Sequence, residues 1–180
     1  MAGPAHGSLP LPEFDTPVKL LLVVAPFYRD IADQLLAGAR ATLEKAGAAH
    51  ETIEVPGALE VPTAIGQAFR MADFDGFVAL GCVIRGETTH YETVCNDSAR
   101  AIALLGLQGV CIGNGILTVE NHAQAVVRAD PGPQDKGGGA AAAALHLIAL
   151  AHRWGGQRRA VGFRPAEDET ILLAGRGDRT

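Results

Sequence analysis

Apolar and polar positions along the chain follow two different periods. Four short segments rich in aliphatic and β-branched residues predict buried or half-buried strands, and they cover residues 18–26, 50–57, 76–84 and 109–113. Between and after these segments, apolar residues recur at the helical period and predict helices over 30–47, 58–72, 89–106, 121–129 and 139–153. Strands that alternate with helices are typical of an α/β domain, in which a parallel sheet lies between helical layers.

The periodic pattern defines one domain with two irregular ends. It extends over residues 18–154 of a 180-residue chain, which is long enough to bury a core of its own. Residues 1–17 are rich in proline and glycine, so we expect a flexible N-terminal arm. Residues 155–180 lose the period of the domain, so we expect a flexible C-terminal appendage.

The last predicted helix, over 139–153, has little polar surface on any side. A helix that is apolar nearly all round needs cover on several faces, and one small domain can hardly supply it. We therefore expect contacts with other subunits along this helix. The alternative is an alanine-rich helix selected for helix propensity alone.

Composition and charge exclude several classes of partner. Hydrophobic residues make up 48% of the chain and charged residues 19%, as in globular proteins and unlike disordered ones. The net charge of −5 provides no basic surface for nucleic acid, and no apolar run is long enough for a membrane span. The start of the chain lacks a secretion-signal pattern, and three cysteines without CxxC spacing fit a reducing compartment. We therefore expect a cytoplasmic protein that binds neither nucleic acid nor membrane.

The polar segment RGETTHYE, residues 85–92, directly follows the third predicted strand and admits three interpretations. The first is a metal site, because Glu87 and His90 have the Glu-x-x-His spacing of di-iron bundles. Such a site needs a second copy of the motif, which the sequence lacks. His90 and Glu92 also begin a zinc deaminase pattern, but the later Pro-Cys-x-x-Cys is absent. We therefore expect no metal here.

The other two interpretations concern the helix that follows this segment. Thr88 or Thr89 can cap that helix by accepting hydrogen bonds from its free N–H groups. A cap, however, requires neither Arg85 nor His90. In the third interpretation, the free N–H groups and a threonine hydroxyl hold a phosphate beside a proton carrier. The helix dipole disfavours a charged imidazole there, so His90 would be a neutral ring that accepts and returns a proton.

Further candidates follow from the topology of a parallel α/β sheet, in which ligands bind beyond the carboxyl ends of the strands. The segments that we expect at this edge are PFYRD (26–30), PGALE (56–60), RGETTH (85–90) and NGILT (114–118). Arg128 and Lys136 flank a loop with no helical need for charge, so they belong either to a solvated hairpin or to an anion clamp. No Walker A, GxGxxG or GxSxG motif occurs in the sequence.

Four ordered motifs resemble one known family. They are VPGALEVP (55–62), DGFVALGCVIRGETTHYETVCNDSARAI (75–102), NGILTVENHAQAVVRA (114–129) and DKGGGAA (135–141). Together they make the chain similar to the 6,7-dimethyl-8-ribityllumazine synthase family of riboflavin biosynthesis over roughly residues 18–154. The IRGxTxH element that follows the third strand is highly specific for this family.

The resemblance implies a flavodoxin-like, three-layer α/β subunit with a four-stranded parallel sheet and helices on both faces. It implies homopentamers with active sites at subunit interfaces, which some members stack into decamers or close into icosahedral shells. The implied activity is that of a transferase without metal or organic cofactor. It condenses 5-amino-6-(D-ribitylamino)uracil with 3,4-dihydroxy-2-butanone 4-phosphate (below, butanone phosphate) and releases phosphate and water. The alternatives are a flavin- or lumazine-binding or shell-forming paralogue with little turnover, and a generic phosphate-binding regulatory domain.

The resemblance also implies roles for individual residues. His90 would transfer protons, and Phe27 would stack on the pyrimidine. The residues that would line the pyrimidine and ribityl groove are Ala58, Leu59, Glu60, Cys82, Val83 and Ile84. The groups that would hold the phosphate belong to Glu87, Thr88 and, across a subunit boundary, Arg128. Lys136 would reach the pyrimidine site from the neighbouring subunit.

Three departures from the family pattern change these expectations. Asn114 stands where the family often has an aromatic residue, so we expect stacking from the adjacent subunit to be weaker or to be replaced by a hydrogen bond. Tyr28 replaces the asparagine that usually follows the aromatic residue of the first loop. The loop before Lys136 lacks the Gly-x-Lys-x-Gly-Asn pattern associated with closed shells, so the sequence does not predict a shell.

Overall fold

The computed structural model describes residues 9–132 and 134–155. The strands of this part of the chain are β1 (Lys19–Val24), β2 (Ala49–Glu54), β3 (Gly76–Ile84) and β4 (Ile112–Val119). The helices are α1 (Arg29–Lys45), α2 (Glu60–Met71), α3 (His90–Leu107), α4 (His122–Ala129) and α5 (Lys136–Gly155). Strands and helices alternate as the hydrophobic pattern predicts.

The four strands form one parallel sheet in the order β2-β1-β3-β4. The register pairs Leu22 of β1 with Val78 of β3, and Ile84 with Val119 at the carboxyl ends of β3 and β4. Since β1 and β3 are flanked by strands on both sides, they consist almost entirely of buried apolar residues. The predicted fold class, a three-layer, flavodoxin-like α/β subunit, is confirmed.

Two apolar cores cover the two faces of the sheet. One core joins the sheet to α1, α4 and α5, and it contains large side chains such as Leu22, Leu35 and Leu145. The other joins the sheet to α2 and α3, with Phe77 and Ile65 at its centre. Alternate residues of β1 face opposite cores, as the pleat of a strand requires. This sandwich fixes the carboxyl edge of the sheet, from which the loops toward the candidate site depart.

Strand β4 is longer than the sequence predicts. Residues 114–118 lie within β4, so their expected position in a loop beyond the fourth strand is wrong. The predicted fourth strand ended at Gly113, but this glycine lies within β4. A Cβ atom at Gly113 would overlap the backbone carbonyl of Ala140 in α5, so glycine lets that helix approach the strand closely.

Helix α5 begins three residues earlier than predicted, at Lys136. Asp135 caps it, because its Oδ1 accepts a hydrogen bond from the N–H of Gly138 at 2.8 Å. Asp135 has a φ of 40°, in the left-handed region that aspartate tolerates better than most residues. A Cβ atom at Gly137, the second residue of the helix, would overlap the backbone of Leu35 in α1. The start of α5 is therefore a close helix–helix contact.

The expected apolar surface of α5 is divided between the subunit and the solvent. One face is buried against the sheet and α1 by residues that include Ala141, Leu145 and Ile148. On the opposite face Leu147, Leu150 and Trp154 are exposed, with 61% of the surface of Trp154 accessible. The subunit alone therefore covers one side of the helix, and cover of the other side by a neighbouring subunit stays a prediction.

Only part of the two irregular ends predicted from the sequence lies within the described residues. Residues 9–17 form no helix or strand, although Leu11 and Phe14 pack against the core. The first eight residues of the predicted arm, and the predicted appendage from residue 156 onward, lie outside the described residues. Within the described ranges, no helix combines the length and apolarity needed to cross a bilayer.

Candidate active site

A cavity of about 450 Å³ opens at the carboxyl edge of the sheet. Its walls come from the loop after β1, the loop between β2 and α2, the last residues of β3 and the first turn of α3. Three of the four segments that the topology places at this edge meet there, and only the segment over 114–118 is elsewhere. The volume lies within the range typical of small-molecule sites.

Most of the candidate residues named from the sequence line this cavity. They are Phe27, Ala58, Leu59, Glu60, Cys82, Val83, Ile84, Thr88 and His90. The structure thus brings most of the expected pyrimidine-binding residues and the expected proton carrier to one place. Their roles stay predictions.

The cavity has an apolar floor and a more exposed rim. Ala58 and Cys82 are buried at the floor. Phe27 lies at the rim with 74% of its surface exposed, and Tyr28 supports it through an edge contact between ring centroids 5.1 Å apart. An exposed aromatic ring held in this way can stack on a flat, planar ligand. Tyr28, which the sequence marked only as a departure from the family pattern, therefore belongs to the cavity wall.

The start of α3 forms the polar side of the cavity. His90 is the first residue of the helix, and both His90 and Thr88 are exposed to the cavity opening. The N-cap residue is Thr89, but its side chain makes no capping hydrogen bond, so the prediction of a threonine cap is wrong. The backbone of Thr89 is already helical, with φ −66° and ψ −5°, whereas a capping residue usually has extended backbone. The first N–H groups of α3 consequently lack a side-chain cap.

Four candidate residues do not line the cavity of the single chain. They are Glu87, Asn114, Arg128 and Lys136. The Oδ1 atom of Asn114 accepts a hydrogen bond from the N–H of Ile116 at 3.0 Å, so its side chain is engaged within β4. The guanidinium of Arg128 donates to the carbonyl oxygen of Gln124 in its own helix at 2.9 Å. For Asn114, Arg128 and Lys136, a role in ligand binding requires a second subunit, whereas Glu87 lies between Gly86 and Thr88, which both line the cavity.

Arg85 has partners that the sequence did not reveal. Its Nε donates to a carboxylate oxygen of Glu120 at 2.7 Å, and Nη1 lies 3.6 Å from a carboxylate oxygen of Glu92. The guanidinium carbon also lies 4.2 Å from the centre of the Tyr91 ring. The hydrogen bond with Glu120 is the main reason that the pKa of Arg85 is raised. Its charge therefore faces protein groups and not an open anion site.

The sequence assigned no role to five other residues that line the cavity. They are Pro56, Gly57, Gly86, Tyr91 and Val94. Pro56, Gly57 and Gly86 belong to segments that were expected at this edge, and all five lie within the motifs that resemble the family. That position within the motifs is the signal that could have identified them.

The metal interpretation of residues 85–92 gains no support from the geometry. Among the described residues, no group of three or more His, Cys, Asp or Glu side chains is arranged to hold a metal ion. Glu92, one half of the zinc-type pattern, instead faces Arg85.

Cys82 is expected to resist alkylation in the folded protein. The pKa of Cys82 is raised to about 11, mainly by burial and to a smaller extent by the charges of Asp30 and Cys95. At pH 8 only about 0.1% of such a thiol is ionised, and the thiolate is the reactive form. Treatment with iodoacetamide at pH 8, followed by peptide mass measurement, should leave Cys82 unmodified in buffer and modified in urea. Equal rates in buffer and in urea would contradict this prediction.

The parallel sheet and the cavity at its carboxyl edge define the class, a flavodoxin-like α/β protein with a cavity in the position where that class usually binds ligands. The family model of 6,7-dimethyl-8-ribityllumazine synthase matches residues 17–152. The chain belongs to the 6,7-dimethyl-8-ribityllumazine synthase family.

Proteins named as members of this family are similar to the chain over almost their whole length. The 6,7-dimethyl-8-ribityllumazine synthase of Jannaschia sp. (strain CCS1) is 61% identical over 165 residues, which cover 92% of this chain and 93% of that protein. The protein of that name from Novosphingobium aromaticivorans is 60% identical over 136 residues, covering 76% of this chain and 98% of its own. In Rhizobium meliloti, 6,7-dimethyl-8-ribityllumazine synthase 1 is 51% identical over 148 residues, covering 79% of this chain and 97% of its own.

Proposed function

We propose that this chain is a transferase that condenses 5-amino-6-(D-ribitylamino)uracil with butanone phosphate to give 6,7-dimethyl-8-ribityllumazine, phosphate and water. This is the penultimate step of riboflavin biosynthesis. The observation that carries the proposal is one cavity that combines the exposed ring of Phe27, the uncapped start of α3 and the imidazole of His90. The names of the relatives support the same reaction.

The two ends of the cavity suit two different substrates. Phe27 and the residues between β2 and α2 offer a flat apolar surface with the carboxylate of Glu60 nearby, which suits a pyrimidine with polar substituents. The first turn of α3 offers N–H groups and the hydroxyl of Thr88, which suit a phosphate. A molecule held at each end would bring the amine of one substrate to the ketone of the other.

The protein's main contribution to the rate would be orientation. Holding two reactants together in the right geometry can lower a barrier by roughly 7–11 kcal/mol in favourable cases. The amine attacks the ketone, an imine forms with loss of water, a carbon-bound proton is removed as phosphate leaves, and the ring closes with loss of a second water. His90, beside the phosphate end, would accept and return protons in these steps.

An oligomer would complete this site. Of the 18 residues of α3, only Ser98 and Ile102 are buried, and Leu104 and Leu107 are exposed. A helix with so little cover in the single chain suits a contact with another subunit. In a homopentamer with sites at its interfaces, Arg128 would meet the phosphate, and Lys136 and Asn114 would meet the pyrimidine, from the neighbouring chain. We place this enzyme in the cytoplasm.

The decisive experiment is turnover by the full chain. Incubation with both substrates should produce 6,7-dimethyl-8-ribityllumazine, followed by its absorbance, together with one phosphate per product. Omission of butanone phosphate is the control for background. A non-catalytic paralogue would bind lumazine without forming it, and that result would refute the proposal. Measurement of the native mass tests the pentamer separately.

A further inference from the structure

Arg85 is the meeting point of three elements at the edge of the cavity. It follows β3 directly, and its backbone N–H donates to the carbonyl oxygen of Val119 at the end of β4 at 3.0 Å. Its side chain reaches Glu120 beyond β4 and the Tyr91 ring in the first turn of α3. One side chain thus joins the ends of two strands to the start of a helix.

The contacts of Arg85 argue against a role as an anion ligand. Glu120 and Glu92 offset the guanidinium charge from two directions, at 2.7 Å and 3.6 Å. The guanidinium carbon lies over the Tyr91 ring, an arrangement stabilised by the electrons of the ring. An incoming phosphate would have to displace carboxylates that are already paired.

The same contacts restrain the residues that face the cavity. Tyr91 lines the cavity and follows His90 directly in sequence, so a fixed Tyr91 ring also limits the position of His90. On the other side, the N–H of Glu120 donates to the side-chain oxygen of Gln124 in α4 at 3.0 Å. The backbone carbonyl of Gln124 in turn accepts from Arg128. Arg85 therefore stands between the start of α3 and the helix that carries Arg128.

We propose that Arg85 is a positioning residue, whose guanidinium, held by Glu120, fixes the Tyr91 ring and thereby the first turn of α3 with His90. The expected change in kcat rests on the proposed function, whereas the expected effect on the position of His90 does not. It assigns Arg85 to the geometry of the reaction and not to binding of the phosphate.

The kinetic test uses a substitution that keeps the length of the side chain but removes its charge. Arg85→Met should lower kcat by between about 10- and 100-fold, because a small displacement of a reacting group has effects of that size. The KM for butanone phosphate should stay within about threefold of the wild-type value, since no binding contact is removed. Tyr91→Leu should have a similar effect on kcat, and the double variant should be little worse than either single one.

Arg100→Met is the matched control. Arg100 lies on α3, the helix that Arg85 contacts through Tyr91, and is paired with one carboxylate, that of Asp97 at 2.8 Å, but it does not line the cavity. Its substitution should change neither kcat nor KM. If Arg85→Met fails to fold, Glu120→Gln provides the test, since it keeps the shape of the partner but removes its charge, and it should also lower kcat without raising KM.

The outcomes that would overturn the inference are distinct. A KM for butanone phosphate raised more than about tenfold with kcat unchanged would make Arg85 an anion ligand. Unchanged kcat and KM would mean that Arg85 and Glu120 form a surface ion pair with no effect on the reaction. A readout that needs no turnover is the NMR signal of the His90 ring in the ligand-free protein, which should shift in Arg85→Met and not in Arg100→Met. If the wild type forms no lumazine, the proposed function fails, and this signal still decides the role of Arg85.

Discussion

Replacement of His90 by alanine is expected to lower kcat about 100-fold and to leave a slow but measurable enzyme. His90 begins α3 beside the cavity, where it can accept a proton as phosphate leaves and return it later. Orientation of the two substrates does not depend on the imidazole, so that part of the rate enhancement should survive. The measurement is steady-state formation of 6,7-dimethyl-8-ribityllumazine.

His122→Ala is the matched control for this variant. His122 is likewise the first residue of a helix and is exposed, but it is bonded to Asp30 at 2.8 Å and lies outside the cavity wall. The kcat of His122→Ala should equal that of the wild type. Added imidazole should restore part of the activity of His90→Ala and none to any other variant. Complete loss of turnover in His90→Ala, with folding and substrate binding intact, would contradict this division between proton transfer and orientation.

Replacement of Arg128 by alanine is expected to raise the KM for butanone phosphate by between about 10- and 100-fold, as for a lost hydrogen bond to a charged group. Arg128 is half-buried on α4 and lies outside the cavity of its own chain. Its effect on KM would therefore report a contact with the phosphate in another subunit. Arg40→Ala is the control, because Arg40 is an exposed helical arginine bonded to Thr52 at 3.0 Å and away from the cavity. An unchanged KM in Arg128→Ala would refute the assignment.

Mixed oligomers test the subunit boundary directly. When His90→Ala and Arg128→Ala chains are unfolded together and reassembled in equal amounts, about one quarter of the interfaces should combine an intact His90 with an intact Arg128. Activity should then exceed that of either variant alone. If both residues serve the site of their own chain, mixing restores nothing.

The sequence predicted the fold well because the fold depends on features that the sequence displays. Continuous apolar runs mark central parallel strands such as β3, and helical periodicity marks α1 and α3. The errors occurred where a residue type has two uses. Glycine can permit either a turn or a close approach, and Gly113 and Gly137 serve close packing of α5 against β4 and α1. Only the assembled layers distinguish these two uses.

The sequence also predicted part of the candidate site, namely the part that depends only on the order of strands and helices. The rule that ligands bind at the carboxyl edge of a parallel sheet correctly grouped Phe27, Glu60 and His90, since it needs only the order of elements. The partners of Arg85 could not be predicted in this way, because Glu120 is 35 residues away and meets it through the pairing of β3 with β4. Pattern alone showed that Arg85 stands beside the site but not what it contacts.

The tight seating of α5 gives its three consecutive glycines unequal tolerance to substitution. Engineers often replace helical glycines with alanine to raise the melting temperature, gaining about 0.4–1 kcal/mol where the site allows it. At Gly139 a methyl group would meet nothing within 4 Å, so alanine should raise the melting temperature of this protein. At Gly137 the same change would force α5 away from α1 and move the Lys136 end of the helix with it, so it should destabilise the protein. Thermostabilisation of this chain can therefore start with Gly139→Ala but must leave Gly137 unchanged.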